Sequence, residues 1–389
     1  MPFQVVPVPL KSQTPLDGLL IHFSELPDHR MQRCQRHKLL DIVFLAICAT
    51  ISGADDWVSV EVFCQAKIDW FGKYLELPNG VPSHDTFSAV FRYLDAEAFE
   101  KCFCSWMSEI CLTTPLKPVA IDGKTMRSSG SSKQSALHVV SAFATANEVT
   151  LGQRAVDAKS NEITAIPELL KTLDIAGAIV TIDAMGCQKE IARTIRCRKA
   201  HYLLAVKKNQ PTLHAEIEAH FQKHLESGFA EVETTFCEST QKNQSREEYR
   251  SCRVFSNVEF LSGKKEWKDI KSVVVIVTDR QEKGRSTSEI RYYISSRKAS
   301  AEVFAQAARN HWGVENNLHW HLDVTFGDDD SRVREGDGPQ NFARIKRLAL
   351  SILANASGKE SLAKKRLAAC ASDERRERII QEFLKTPGK

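Results

Sequence analysis

Val119-Ala120-Ile121-Asp122-Gly123-Lys124 is a short apolar run that ends in a carboxylate, and Ala178-Ile179-Val180-Thr181-Ile182-Asp183, 61 residues further on, repeats the pattern. Runs of this length, rich in β-branched residues and stopped by polar or small ones, read as buried strands. Between them, residues 138–144 and 151–158 read as two more strands, turned at Ala146-Asn147-Glu148. Residues 163–173 then place Ile166, Leu169, Leu170 and Leu173 at helical spacing. After Asp183 come a polar-faced helix and a fifth strand at 201–206.

Three strands in hairpins followed by helix, strand, helix and strand is the order of an RNase H-like mixed five-stranded sheet, an α/β fold. Working outward, residues 1–15 are punctuated by proline and lack periodicity, which predicts a flexible arm. Residues 16–115 read as an N-terminal helical domain, with helices at 39–52, 57–75 and 84–94, the last capped by Ser83. His29, Arg30, Arg33, Arg36, His37 and Lys38 leave a helix-turn-helix reading open beside a purely packing role. Residues 116–355 read as the RNase H-like domain, and within them 211–298 read as a β-rich insertion led by a charged helix at 212–226. Helices resume at Glu302 and continue over 341–353 and 362–384, and 356–389 close the chain as a basic helical tail.

The 389 residues are 42% hydrophobic and 26% charged, which excludes a disordered or fibrous chain. Residues 332–389 carry 14 Lys or Arg against 7 Asp or Glu, so the net charge of +4 is concentrated at that end. Such a distribution suits contact with a polyanion, or simply a solvated helical face. The 11 cysteines make no zinc-like spacing and no secretory signal is recognisable, which predicts reduced thiols in a cytoplasmic protein. The longest apolar run, 39–51 with Asp41 inside it, is too short to span a membrane.

Asp122 and Asp183 each close a strand and are each followed by small residues: Gly123 in one case, Ala184 and Gly186 in the other. Carboxylates crowded at a sheet edge raise one another's pKa unless a cation neutralises them. Hard divalent ions with oxygen ligands do so. Two of them ~3.5–4 Å apart can activate the attacking oxygen and stabilise the leaving one in phosphodiester displacement. A single strand-end aspartate would read as a turn or cap. Arg309, Trp312, Glu315, His319 and Asp323 recur at three- and four-residue intervals and share one helical face. On spacing alone, an Arg309–Glu315 surface network with Trp312 in the core reads better than a third metal ligand at Glu315. Asp323 and Asp328-Asp329-Asp330 could add a ligand, but the Asp run ahead of Ser331 reads as a loop. Lys124, Arg309, Arg332 and Arg334 are candidate phosphate contacts, each with an ion-pair alternative. Trp312 and Trp320 are candidates for stacking on an unpaired base, or for the core.

At these motifs the chain resembles the H-repeat-associated family of bacterial insertion-sequence transposases, DDE enzymes with an RNase H-like catalytic domain. The matching stretches are VPSHDTFSAVFRYLD (81–95), VAIDGKTMR (119–127), LHVVSAFA (137–144), KSNEITAIPELLKTLDIAGAIVTIDAMGCQ (159–188), HYLLAVKKNQ (201–210) and NHWGVENNLHWHLDVTFGDDDSRVR (310–334). They cover most of the chain in the family's order. The resemblance implies that Asp122, Asp183 and Glu315 are the catalytic acids and the ligands of Mg2+ or Mn2+, with two ions expected. It further implies a transposase that hydrolyses and transfers strands at element ends, on double-stranded DNA, as a homodimer assembled there. A cytoplasmic protein, associated with the nucleoid when bound to DNA, is expected. Two positions depart from the family pattern. His-Gly-Arg-Ile/Val-Glu is here Gln244-Ser245-Arg246-Glu247-Glu248, and Lys-Gly-Asn-Gln is Lys207-Lys208-Asn209-Gln210, where a lost glycine predicts a strained turn. Other readings are a plain RNase H-like nuclease and a catalytically inert DNA-binding relic or domesticated protein.

Overall fold

The computed structural model describes residues 15–110, 118–130, 135–156, 161–243, 246–282 and 284–385. The expected N-terminal arm, except for Pro15, lies outside them, as do Lys159, Ser160, Gln244 and Ser245. The chain begins with six helices: α1 (Pro15–Phe23), α2 (Leu39–Ile51), α3 (Trp57–Ala66), α4 (Ile68–Phe71), α5 (His84–Tyr93) and α6 (Ala96–Ile110). Twelve of the thirteen residues of α2 are buried, as its nearly unbroken apolar sequence requires. The single helix expected over 57–75 is two, because Lys67 leaves helical geometry at φ −118°, ψ 21°. Ser83 caps α5, its hydroxyl accepting from the Thr86 amide.

β1 (Pro118–Met126) pairs antiparallel with β2 (Leu137–Ala144), and β2 with β3 (Val149–Val156). After α7 (Glu162–Thr172), β4 (Ile179–Ile182) runs parallel to β1; α8 (Lys189–Cys197) then leads to β5 (His201–Val206), parallel to β4. The order β3-β2-β1-β4-β5 is the mixed five-stranded sheet that the sequence predicts.

The insertion does not stand apart from that sheet. α9 (Pro211–Glu226) leads into an antiparallel meander of β6 (Thr234–Asn243), β7 (Arg246–Phe255), β8 (Ser272–Glu282) and β9 (Arg285–Ser295). β9 pairs with β5, so nine strands form one sheet, β3-β2-β1-β4-β5-β9-β8-β7-β6. The meander thereby covers backbone groups that β5 would otherwise leave unpaired.

α10 (Ala301–His311), a π-turn at Val314–His319 and α11 (Trp320–Val324) follow, then α12 (Gly338–Asn355), α13 (Leu362–Ala371) and α14 (Asp373–Lys385). The sequence joins the last two into one helix; the chain breaks at Ser372, φ −126° and ψ 124°, whose hydroxyl accepts from the Arg375 amide. α10 lies on one face of the sheet, its Ala301, Phe304, Ala307 and Ala308 packed on Ile179, Leu203, Cys252, Val254, Val274, Ile276 and Tyr293. Residues of alternate parity, among them Val180, Ile182, Leu204, Val273 and Ile294, face the opposite core with α7, α8 and α9.

The C-terminal helices are interlocked with the N-terminal ones. Trp57 lies between Phe91 and Phe342, ring centroids 4.8 and 4.5 Å away. Arg366 bonds the carbonyls of Thr50 and Ala54 and the carboxylate of Asp55. Arg344, Lys346, Arg347, Lys365, Arg366 and Arg376 are all buried. Six of the fourteen Lys and Arg of the C-terminal end are therefore inside the molecule, while Arg332, Arg334, Lys359, Lys364 and Arg378 are exposed. The ten described cysteines are free thiols, and no helix among the described residues is long and apolar enough to cross a membrane.

Candidate active site

Asp122 and Asp183 come together because of register, where β4 ends beside the middle of β1. Asp183 closes its strand as expected, whereas Asp122 does not, because β1 stays paired with β2 as far as Met126. β1 and β4 are paired from Pro118 with Ile179 to Ile121 with Ile182, so the next residue on each strand is one of the two aspartates. Strand alternation turns Asp183 to the face of Ile179, which is the face α10 covers. His311 at the end of α10 meets Thr181 there, Nδ1 to Oγ1 3.0 Å.

The helix beyond α10 runs alongside β1. His319 Nδ1 lies 3.6 Å from Asp122 Oδ2, and Asp323 Oδ1 2.5 Å from Lys124 Nζ. Two residues of strand and four of helix advance by nearly the same length, ~6.5 and ~6 Å, so the two elements stay level. Val314, Leu318, Leu322 and Phe326 are buried at intervals of four. On an α-helix that interval drifts out of the core by ~40° a step; the wider π-turn takes up the drift. Glu315 and His319, which follow Val314 and Leu318, are thus carried along one edge past Asp122.

Asp122 is three-quarters buried, and its carboxyl is pushed up to about 7. Burial is the main cause, and the charges of Glu162, Asp183 and Glu315 add to it, against a bond from the Gly123 amide. Asp122 is thus close enough to the other two expected acids to feel both. Glu315 itself is exposed, as is Asp183, whose Oδ1 accepts from the Gly186 amide at 3.2 Å. His319 is held neutral, driven down to about 3 by burial and by Arg347 and Lys124.

Glu162, at the start of α7, was not singled out by the sequence. Its Oε1 lies 2.7 Å from His138 Nε2, and His138 Nδ1 lies 2.7 Å from Thr125 Oγ1. With the ring proton on Nε2, facing the carboxylate, Nδ1 accepts from the threonine hydroxyl. The pair fills the space where Gly123 has no side chain: a Cβ there would stand 2.1 Å from Glu162 Oε1 and 2.6 Å from His138 Nε2. The only sequence signal for this was a glycine straight after Asp122.

The loop after Asp183 is fixed from the end of β5. Asn209 Nδ2 donates to the Ala184 carbonyl at 2.6 Å and Gln210 Nε2 to the Cys187 carbonyl at 2.9 Å. Gly186 packs so closely that a Cβ would lie 2.2 Å from Ile182 Cγ2. Lys208 is not among the residues of positive φ, so the strain expected from the missing glycine does not arise.

The candidate phosphate contacts divide. Lys124 is buried and engaged by Asp323 and, at 3.6 Å, by Asp329, which is the ion-pair alternative to a phosphate contact. Arg334 donates to the Ser128 carbonyl at 2.9 Å, Arg309 donates to Gln241 Oε1 at 2.8 Å, and Arg332 is exposed. Asp328, Asp329 and Asp330 form a turn, as expected, with Asp328 buried against Lys346 and Arg347. Trp312 and Trp320 are 43% and 53% exposed, so neither is core; the Arg291 guanidinium lies over the Trp312 ring.

Whether the site suits a divalent ion turns on this donor set. Asp122, raised to about 7 by burial and then by its acidic neighbours, is a largely buried carboxyl whose proton a cation would displace. Nε2 of the neighbouring His319 is buried and has no hydrogen-bond partner among the described residues. The residues fit such an ion in kind, although among the described residues no three His, Cys, Asp or Glu side chains already converge closely enough to hold one.

Comparison with known proteins shows what the chain as a whole is similar to. Residues 20–107 match the family described as DDE_Tnp_1-associated, and residues 114–352 match the family described as Transposase DDE domain. "Putative transposase YncI" of Escherichia coli O157:H7 is 44% identical over 345 residues, 87% of each chain. "H repeat-associated putative transposase YhhI" of E. coli K12 is 42% identical over 87% of this chain and 91% of its own. A shorter K12 protein, "Inactive transposase YbfQ", is 43% identical over 75 residues, 19% of this chain and 89% of its own. Among solved structures, the piggyBac transposase synaptic complex with hairpin DNA aligns over 97% of this chain and 83% of that one, with a TM-score of 0.43 and 11% identity.

Proposed function

Because this chain belongs to the Transposase DDE domain family, we propose that it cuts and joins DNA strands at the ends of a mobile element, with Asp122, Asp183 and Glu315 as its catalytic acids. The observation that carries the reading is the buried Asp122 carboxyl, pushed up to about 7 beside Glu162, Asp183 and Glu315. Carboxylates gathered at this cost, where the parallel pairing of β1 and β4 stops, suit a site built to receive positive charge. Mg2+ or Mn2+, two ions by expectation, would be held by Asp122, Asp183 and Glu315 and would supply an activated attacking oxygen and a stabilised leaving oxygen at the phosphodiester.

The chain's own groups prepare that site. Asn209 and Gln210 hold the loop that follows Asp183. His311, on Thr181, fixes the end of α10 from which Glu315 is reached. Neutral His319 closes the side of Asp122. Double-stranded DNA, both element ends and target, is the substrate of this proposal, and a homodimer assembled on it would bring two ends together.

The test is an assay with paired element ends and Mg2+ or Mn2+. Cleaved and joined products are expected from the wild type, and neither from Asp183→Asn, which should still bind DNA. Hydrolysis without joining would reduce the protein to a nuclease. Cleavage unchanged in Asp183→Asn would sink the site.

A further inference from the structure

Away from the acids, the meander gathers arginines round one carboxylate. Glu248 of β7 is 5% exposed and faces three guanidinium groups: Arg246 and, at 3.0 Å, Arg280 donate hydrogen bonds to its Oε2, and Arg250 forms an ion pair with its Oε1. In register, Glu248 stands opposite Gln241 on β6 and Arg280 on β8. Gln241 Oε1 in turn takes the guanidinium of Arg309 from α10. Arg246, Glu248 and Arg250 alternate on the same face of β7 as Cys252 and Val254, which pack on α10. The arginines therefore lie on the face that leads along α10 to Glu315.

Four guanidinium groups and one carboxylate leave a surplus of three positive charges. The arginines feel one another: Arg250 is driven below its ordinary value by burial and by Arg309, Arg280 and Arg246, against the pull of Glu248. A fold needing only to neutralise Glu248 would use one arginine. The side chains of Arg246, Arg250 and Arg280 remain 41%, 31% and 38% exposed, with their planes fixed by the buried carboxylate. Fixed, half-exposed guanidinium groups in surplus suit a row of phosphates, each able to take a bidentate pair.

We propose that Arg246, Arg250, Arg280 and Arg309, ordered by Glu248, form a phosphate-binding track on the meander that grips the backbone of duplex DNA leading into the acidic site. This rests on the reading of the protein as one that acts on DNA. Glu248 is the positioning residue and the arginines make the contacts.

The experiment measures binding of the full chain to a fluorescein-labelled 30-base-pair duplex of mixed sequence across 50–200 mM salt. Loss of each phosphate contact should lower the slope of log affinity against log salt by about 0.9. Arg250→Ala with Arg280→Ala should thus flatten it by about two and weaken binding at least tenfold at 100 mM, while Arg250→Lys with Arg280→Lys keeps most of the slope. Arg309→Ala, on an exposed helix position, should flatten it by about one with the fold intact, and covers the case in which the paired variant does not fold. Wild-type slope and affinity in Arg309→Ala and in the folded paired variant would overturn the track alone. A wild-type chain that binds no duplex, while an acidic peptide competes for the same arginines, would overturn the track together with the reading beneath it.

Discussion

Asp122 and Asp183 stand level on neighbouring parallel strands, each one residue past the last paired position, Ile121 with Ile182. Nothing in the backbone separates them, and the carboxyls lie where that pairing stops, with Glu162 and Glu315 close by. That relationship makes the native state sensitive to whatever changes charge there.

The first consequence is a pH dependence of stability. The Asp122 carboxyl sits at about 7 in the folded chain, raised by burial and by Glu162, Asp183 and Glu315, against 3.8 ordinarily. Below pH ~4 both states hold the proton; between about 4 and 7 only the native state does; so this group's contribution destabilises the fold progressively as pH rises across that window. Asp122→Asn should remove this component, raising stability at pH 8 by up to a few kcal/mol, on the order of 1.4 for each pH unit crossed. Urea unfolding at pH 5 and pH 8 measures it. An identical pH slope in the variant would show that the carboxyl is not held protonated.

Gly123 should tolerate no side chain without loss of activity. Alanine there would place Cβ against Glu162 and His138, whose flexible ends can move aside, so the cost to stability should stay within about 1 kcal/mol. Cleavage should nevertheless fall tenfold or more as the pair is displaced from beside Asp122. Melting temperature and cleavage rate, read together in Gly123→Ala, decide this; cleavage at the wild-type rate would remove Glu162 and His138 from the site.

Asn209→Ala loses the bond to the Ala184 carbonyl. A stability loss of about 1 kcal/mol is expected, with a larger proportional loss of cleavage because the loop carrying Asp183 is freed. Equal, small effects on both would make Asn209 merely structural.

Asp328 is fully buried, 3.7 Å from Lys346 and 3.8 Å from Arg347, which are buried too. Removing it strands two cations, so Asp328→Ala should cost about 3–5 kcal/mol. Denaturant unfolding reads this directly. A change under 1 kcal/mol would mean that water reaches the triad.

Much of the catalytic core is legible in the sequence because its signals are local. The apolar runs that end in Asp122 and Asp183, the helical spacing of Ile166, Leu169 and Leu170, and the strand at 201–206 each declare themselves within a few residues. Lys67 and Ser372, where one expected helix becomes two, escaped because a break of one residue leaves the apolar period nearly intact.

By itself, then, the sequence determined the strands of the catalytic core, their order along the chain and the two aspartates that follow the apolar runs, since hydrophobic period and chain length act through neighbours along the chain; that Asp122 lies inside β1 and not at its end was left to the pairing with β2. Its motif round Glu315 carried an assignment that spacing alone would have refused. Only the tertiary structure decided that β9 joins the insertion to β5, that Glu162 and His138 occupy the void at Gly123, that Lys124 is tied down by Asp323, and that Arg309 meets the meander at Gln241. Those contacts join residues tens to hundreds of positions apart. Their energy depends on register and packing across the whole sheet, which no window of sequence contains.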